Sequence, residues 1–176
     1  MTQSLHPDLS YISYEDFLND VHGIIAAVRD DRWQPGFVVG IGRGGLAPAV
    51  FISHGMKVPM LSVDHSAKVA DFADELLERL ARLATNGNRL LFVDDINDSG
   101  STLLYIRNML EGFGADADSI RYAVLINNSR SRAKVDYWSR EIDRGSDKRW
   151  FVFPWEAMAA AETLIGEANE VPERLA

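Results

Sequence analysis

The run Leu90-Leu91-Phe92-Val93-Asp94-Asp95-Ile96-Asn97-Asp98-Ser99-Gly100-Ser101-Thr102 decides how this chain is read. Four apolar residues in a row, with no polar alternation, predict a strand over Leu90–Val93 buried on both faces, as in a parallel sheet covered by helices. A helix over about Ser101–Phe113, closed by Gly114, is predicted to follow. Between the two lie adjacent carboxylates, a third three residues later, then three hydroxyls and a glycine at a helix start. A helix cap needs one such side chain. This many point to a ligand. Hydroxyls and free amides at a helix start suit a phosphate, helped by the helix dipole. The carboxylates suit sugar hydroxyls, or a Mg²⁺ shared with phosphate oxygens. Phosphate, polyol and metal in one turn describe an activated phosphosugar.

Working outward, Tyr14–Arg29 has helical spacing, with Phe17, Val21, Ile24, Ile25 and Val28 on one face, Ser13 as N-cap and Asp16 closing a capping box. Strands are predicted at Phe37–Ile41, Val58–Val63 and Tyr122–Ile126, and helices at Leu46–His54 and Asp71–Ala84. The alternation predicts an α/β fold, a parallel twisted sheet with helices on both faces. Residues 127–156 break the pattern. With a short strand near Val135–Trp138 and another at Trp150–Phe153, they are expected to form a small antiparallel appendage, a C-terminal hood on one domain spanning 1–176. A helix is expected after Ala157. Trp33, Trp138 and Trp155 are expected to pack the core or an interface.

A second glycine-rich turn, Gly40-Ile41-Gly42-Arg43-Gly44-Gly45, matches G-x-G-x-x-G after a strand, and Asp64 ends the next strand where a ribose-binding acid would stand in a dinucleotide fold. That makes a nicotinamide-dependent oxidoreductase a competing reading. Against it stand the charged Arg43 within the turn, Pro48 in the following helix, too few strands for two mononucleotide-binding halves, and the unexplained Asp-rich turn. A Walker-type NTPase is excluded, because G-x-x-x-x-G-K-[ST] occurs nowhere.

The 176 residues carry 18 Lys/Arg against 26 Asp/Glu, a formal charge of −8, which speaks against a nucleic-acid partner. Residues 121–149 depart from this, with eight Lys/Arg and four Asp/Glu, and are expected to form a solvated basic hairpin on one edge. With no cysteine there are no disulfides, thiolate metal sites or cysteine nucleophiles. No apolar run reaches the length of a membrane helix and no signal peptide is visible, so a cytoplasmic location without a membrane partner is expected.

Three motifs carry a family resemblance. The run LLFVDDINDSGST (90–102) resembles the phosphoribosyl-pyrophosphate (PRPP) motif of type I phosphoribosyltransferases. VVGIGRGGLAPA (38–49) resembles the pyrophosphate loop of their purine branch, and WFVFPWE (150–156) resembles the base-covering hood of bacterial xanthine-guanine and hypoxanthine enzymes. The likeness covers about Tyr11–Glu156. It implies Mg²⁺-dependent transfer of phosphoribose from PRPP to a purine-like base, with release of pyrophosphate, by a homo-oligomer (dimer or tetramer).

The resemblance also implies roles. Asp94 and Asp95 would hold the ribose hydroxyls, with Asp95 near the metal. Asp98 would face the base as proton acceptor, and Ser99, Gly100, Ser101 and Thr102 would cradle the 5′-phosphate. Arg43, Gly44 and Gly45 would bind pyrophosphate, Arg43 acting catalytically on the leaving group, in a loop that often holds a cis peptide in the family. Trp150 would stack on the base while Phe151 reads its edge, and Glu156 would serve a second Mg²⁺. Two positions depart from the pattern. Asn127 stands where a base-reading lysine is usual, which opens the alternatives of a different heterocyclic base or a PRPP-binding regulator without turnover. The lid segment is short, with Lys68 as its pyrophosphate contact and His65 an ordinary surface residue.

Overall fold

The computed structural model describes residues 7–64, 72–156 and 158–170. Its centre is a five-stranded sheet of β2 (Phe37–Ile41), β3 (Met60–Val63), β4 (Leu90–Asn97), β5 (Ile120–Asn128) and β6 (Tyr137–Ile142). The order is β3-β2-β4-β5-β6, and every pairing is parallel. Alternation along each strand divides the core. Val38, Leu91, Val93, Ala123 and Leu125 meet α1 (Tyr14–Asp30) and α2 (Gly42–Met56) on one face. Val39, Phe92, Tyr122 and Val124 meet α3 (Phe72–Thr85) and α4 (Ser101–Gly112) on the other. Leu90–Val93 are wholly buried, as their unbroken apolar run predicts. Ser13 caps α1 through Asp16 N–H, as expected.

Four boundaries differ from the sequence reading in ways that shape the site. β4 runs on through Asp94–Asn97, so the two acids stand on a strand rather than in a turn. α2 begins at Gly42, not Leu46, so Arg43, Gly44 and Gly45 form its first turn instead of a loop. Gly45 permits this: a Cβ there would collide with the main-chain oxygen of Val93, so only glycine brings the helix start down onto β4. Among the described residues every peptide bond is trans.

The third difference is β6. It is neither antiparallel nor part of an appendage; it joins the main sheet parallel to β5, Ala123 beside Tyr137 and Asn128 beside Ile142. Its crossover, 129–136, is a run of turns and bends rather than a helix, which hides it from a pattern search for βαβ units. The fourth is β1 (Leu9–Tyr11), unforeseen in sequence, which pairs in parallel with β7 (Trp150–Val152). This two-stranded sheet carries Phe151 and Phe153 into the α1/α2 core, and α5 (Ala161–Asn169) follows it.

The basic segment is not a solvated hairpin. Arg121 pairs with Asp31, Arg130 with Asp143, Arg140 with Asp20, Arg144 with Asp98 and Arg149 with Asp147. Trp33 is buried in the core, Trp155 packs on Phe17 and Phe153, and Trp138 lies on the edge strand, 43% exposed. Among the described residues no helix is long and apolar enough to cross a membrane.

Candidate active site

Parallel strands present their carboxyl ends together, and most of the sequence-predicted residues gather there. Three hollows adjoin. The largest, about 600 Å³, is bounded by Arg43, Gly44, Asp94, Asp95 and Glu156. A second, about 100 Å³, is formed by Asp94 and the turn Asp98–Thr102. A third, about 210 Å³, is lined by Asp95, Asp98, Arg144, Trp150, Phe151 and Glu156. Asp94 borders the first and second, and Asp95 the first and third. The acid pair in the second half of β4 is therefore the junction of all three.

Each hollow has its own chemistry. α2 starts without a side-chain cap, and the exposed Arg43 makes no ion pair among the described residues, so free amides and a cation face the largest hollow together. The small hollow is a polar cradle. Gly100 caps α4 in the left-handed region at φ 84°, Ser99 Oγ lies 2.8 Å from Ser101 Oγ, and Ser101 N–H donates to Ser99 Oγ at 3.2 Å. The third is flat-sided and aromatic, with the buried Phe151 flanked by the guanidiniums of Arg144 and Arg149 at 5.5 and 5.2 Å.

The acids are unusual. Asp94 Oδ1 accepts from Asp95 N–H at 3.0 Å, and Asp95 Oδ1 from Ile96 N–H at 2.7 Å. Neither carboxylate has an ion-pair partner among the described residues. Desolvation pushes Asp94 well above the usual carboxylate range, with the Asp95 charge adding to it. Desolvation likewise carries Asp95 up to about 7, against the Ile96 amide and with help from the Glu156 charge. Glu156 is raised by burial too, while its Oε2 accepts from Phe153 N–H at 2.8 Å. A Cβ on Gly44 would strike the Asp95 carboxyl, so the glycine lets α2 approach the acid directly. Among the described residues no three His, Cys, Asp or Glu side chains form a metal cage.

Asp98 has both carboxylate oxygens held by Arg144, through Nε at 2.9 Å and Nη2 at 2.8 Å. Asn127 Oδ1 accepts from Asn97 Nδ2 at 2.8 Å, and Asn127 does not border the aromatic hollow. Lys68 and His65 lie outside the described residues. Sequence reasoning missed two arginines. Arg144 lies 46 positions from Asp98, a separation no local pattern reports. Arg132 donates from Nη2 to Ser101 Oγ at 3.1 Å and its main-chain N–H donates to Ser99 O at 3.3 Å, while making no ion pair among the described residues.

The phosphoribosyl transferase domain profile matches residues 10–161. The chain belongs to the phosphoribosyl transferase domain family. Three solved structures illustrate the shared fold. The purine phosphoribosyltransferase of Pyrococcus horikoshii Ot3 is 23% identical, with 87% of this chain and 97% of that one covered at a TM-score of 0.63. The xanthine-guanine-hypoxanthine phosphoribosyltransferase of Helicobacter pylori is 22% identical, with 85% and 94% covered at 0.62. A hypothetical protein of Neisseria gonorrhoeae with bound ppGpp is 20% identical, with 97% and 98% covered at 0.66. This chain has Asp94 and Asp95 within β4, the hydroxyl turn at the start of α4 and Asn127 near the end of β5.

Proposed function

We propose that this phosphoribosyl transferase domain transfers phosphoribose from PRPP to a purine-like base, releasing pyrophosphate with Mg²⁺ as cofactor. The observation that carries the reading is the junction of three hollows on Asp94 and Asp95: a cationic one, a hydroxyl cradle and an aromatic slot. A pyrophosphate, a 5′-phosphate and a flat base extend from one ribose in the same way.

The cradle of Ser99, Gly100, Ser101 and Thr102 holds the 5′-phosphate, with Arg132 adding a cation. Asp94 and Asp95 accept from the ribose hydroxyls. Arg43 and the first amides of α2, at Gly44 and Gly45, hold the pyrophosphate and stabilise negative charge as its bond to C1′ breaks, while Lys68 is assigned to the same group. A base nitrogen forms the new bond to C1′ from the opposite side as its ring N–H passes its proton to Asp98, with Trp150 and Phe151 holding the ring in line. Asp95 and Glu156 suit a hard divalent cation: they are desolvated oxygen donors that border the same two hollows and make no ion pair among the described residues. When bound there through Asp95 and Glu156, together with substrate oxygens, Mg²⁺ supplies charge neutralisation of the pyrophosphate. Self-association as a dimer or tetramer is supported by the exposed aromatics Tyr11 and Tyr14.

A regulator that binds PRPP without turnover is the second reading, favoured by the nearly end-to-end match to the gonococcal protein with bound ppGpp. Such a regulator would use the same cleft for that nucleotide. Pyrophosphate release, followed with PRPP, Mg²⁺ and a panel of heterocyclic bases, separates the two. Release with one or more purines supports the transferase. PRPP or ppGpp binding without release for any base supports the regulator, and binding of NADH but not PRPP would overturn both.

A further inference from the structure

Arg144 is the only buried Lys or Arg among the described residues, at 3% exposure. Its guanidinium grips both oxygens of Asp98, and Nη1 donates to the carbonyls of Arg149 at 2.6 Å and Asp147 at 3.1 Å. Asn128 ties the two segments together, donating from Nδ2 to Asp98 O at 3.0 Å and accepting from Arg144 N–H at 3.1 Å. Burying such a pair is costly, and a well-packed apolar pair would stabilise a fold at least as well. The position of the pair supplies a reason for it: Arg144 and Asp98 both border the aromatic hollow.

A guanidinium carries five N–H donors, and four are spent on Asp98 and the two carbonyls, so one on Nη2 remains. Trp150 borders the same hollow, and its Nε1–H is buried with no acceptor among the described residues. A buried donor without a partner is unfavourable until an acceptor arrives. The slot is thus bordered by aromatic rings, by Arg144 and Trp150, each with an uncommitted donor, and by one acceptor, the Asp98 carboxylate. A flat heterocycle with a carbonyl on one edge and a ring N–H on another fits that set. A heterocycle with an amino group in place of the carbonyl opposes donor to donor.

Building on the transferase reading, we propose that Arg144 is the specificity-determining residue of the base site, reading an exocyclic carbonyl while positioning Asp98 toward the ring N–H. Binding that depends on a complementary donor discriminates strongly against an analogue that lacks the acceptor.

Equilibrium binding of two 5′-mononucleotides that differ only at this edge, inosine 5′-monophosphate and adenosine 5′-monophosphate, tests this without turnover. The intact protein should bind the oxo nucleotide about 100-fold more tightly. Arg144→Met should bring the ratio within about threefold by weakening the oxo nucleotide, with the affinity for ribose 5-phosphate unchanged. Arg144→Lys, which keeps a charge beside Asp98 and guards against misfolding of the Met variant, should retain part of the preference. Equal affinities in the intact protein, or an undiminished ratio in Arg144→Lys and in a folded Arg144→Met, would overturn the assignment. Failure of turnover with the preference intact would instead count against the transferase reading alone.

Discussion

Replacing Asp95 by Asn should stabilise the ligand-free fold while removing its response to PRPP and Mg²⁺. Asp95 is lifted from an ordinary 3.8 to about 7, chiefly by desolvation. An acid raised in this direction costs the fold stability whenever the unfolded chain would ionise it. The penalty is absent below about pH 4, where both states are protonated, grows as pH rises, and is complete above about pH 7. About three units at about 1.36 kcal/mol each set a ceiling near 4 kcal/mol. Asp95 is only half-buried, and solvent screening reduces this to about 1–2 kcal/mol. Asn keeps an oxygen for the Ile96 amide at 2.7 Å, so little is lost in exchange. For a chain of this size the gain is about 3–6 °C in Tm at pH 8, shrinking to about a quarter near pH 4.5. Thermal melts of both proteins across that range measure it. A variant that melts lower at pH 8, or a difference that stays flat from pH 4.5 to 8, would refute the reasoning.

Other substitutions probe the rest of the site and its scaffold. Arg43→Ala should lower kcat by about 10²–10³-fold with little change in Tm, since the side chain is exposed and its proposed role is on the leaving group; steady-state kinetics and a melt check both. Arg132→Gln should raise KM for PRPP about tenfold and leave base KM unchanged, because among the described residues its side-chain hydrogen bonds go to the hydroxyl turn proposed to hold the 5′-phosphate. Gly45→Ala should cost about 1–3 kcal/mol, seen as a Tm lower by about 3 °C or more, because the added methyl collides with the Val93 carbonyl.

Much of the architecture was legible because its signals are local. The unbroken run Leu90–Val93 announces a strand buried on both faces, and the spacing of Phe17, Val21, Ile24 and Val28 announces the helix that covers one of them. The helical start at Gly42 was not legible, since glycine ranks low in helix propensity and only the close approach of α2 to Val93 and Asp95 explains its use. β1 and β7 are each three residues long, and their partnership joins chain positions about 140 apart, beyond any periodicity. Within the site, Asp94, Asp95 and the hydroxyl turn stood out by crowding in a short stretch. Arg132 and Arg144 could not, because the crossover and the segment after β6 bring them to that turn only in three dimensions.

Mass analysis of the products formed from PRPP, Mg²⁺ and a 6-oxopurine tests the central claim most directly. The account predicts a nucleoside 5′-monophosphate and pyrophosphate in equal amounts, and none when Asp95 is replaced by Asn. Bound PRPP with no mononucleotide formed from any base offered would contradict it.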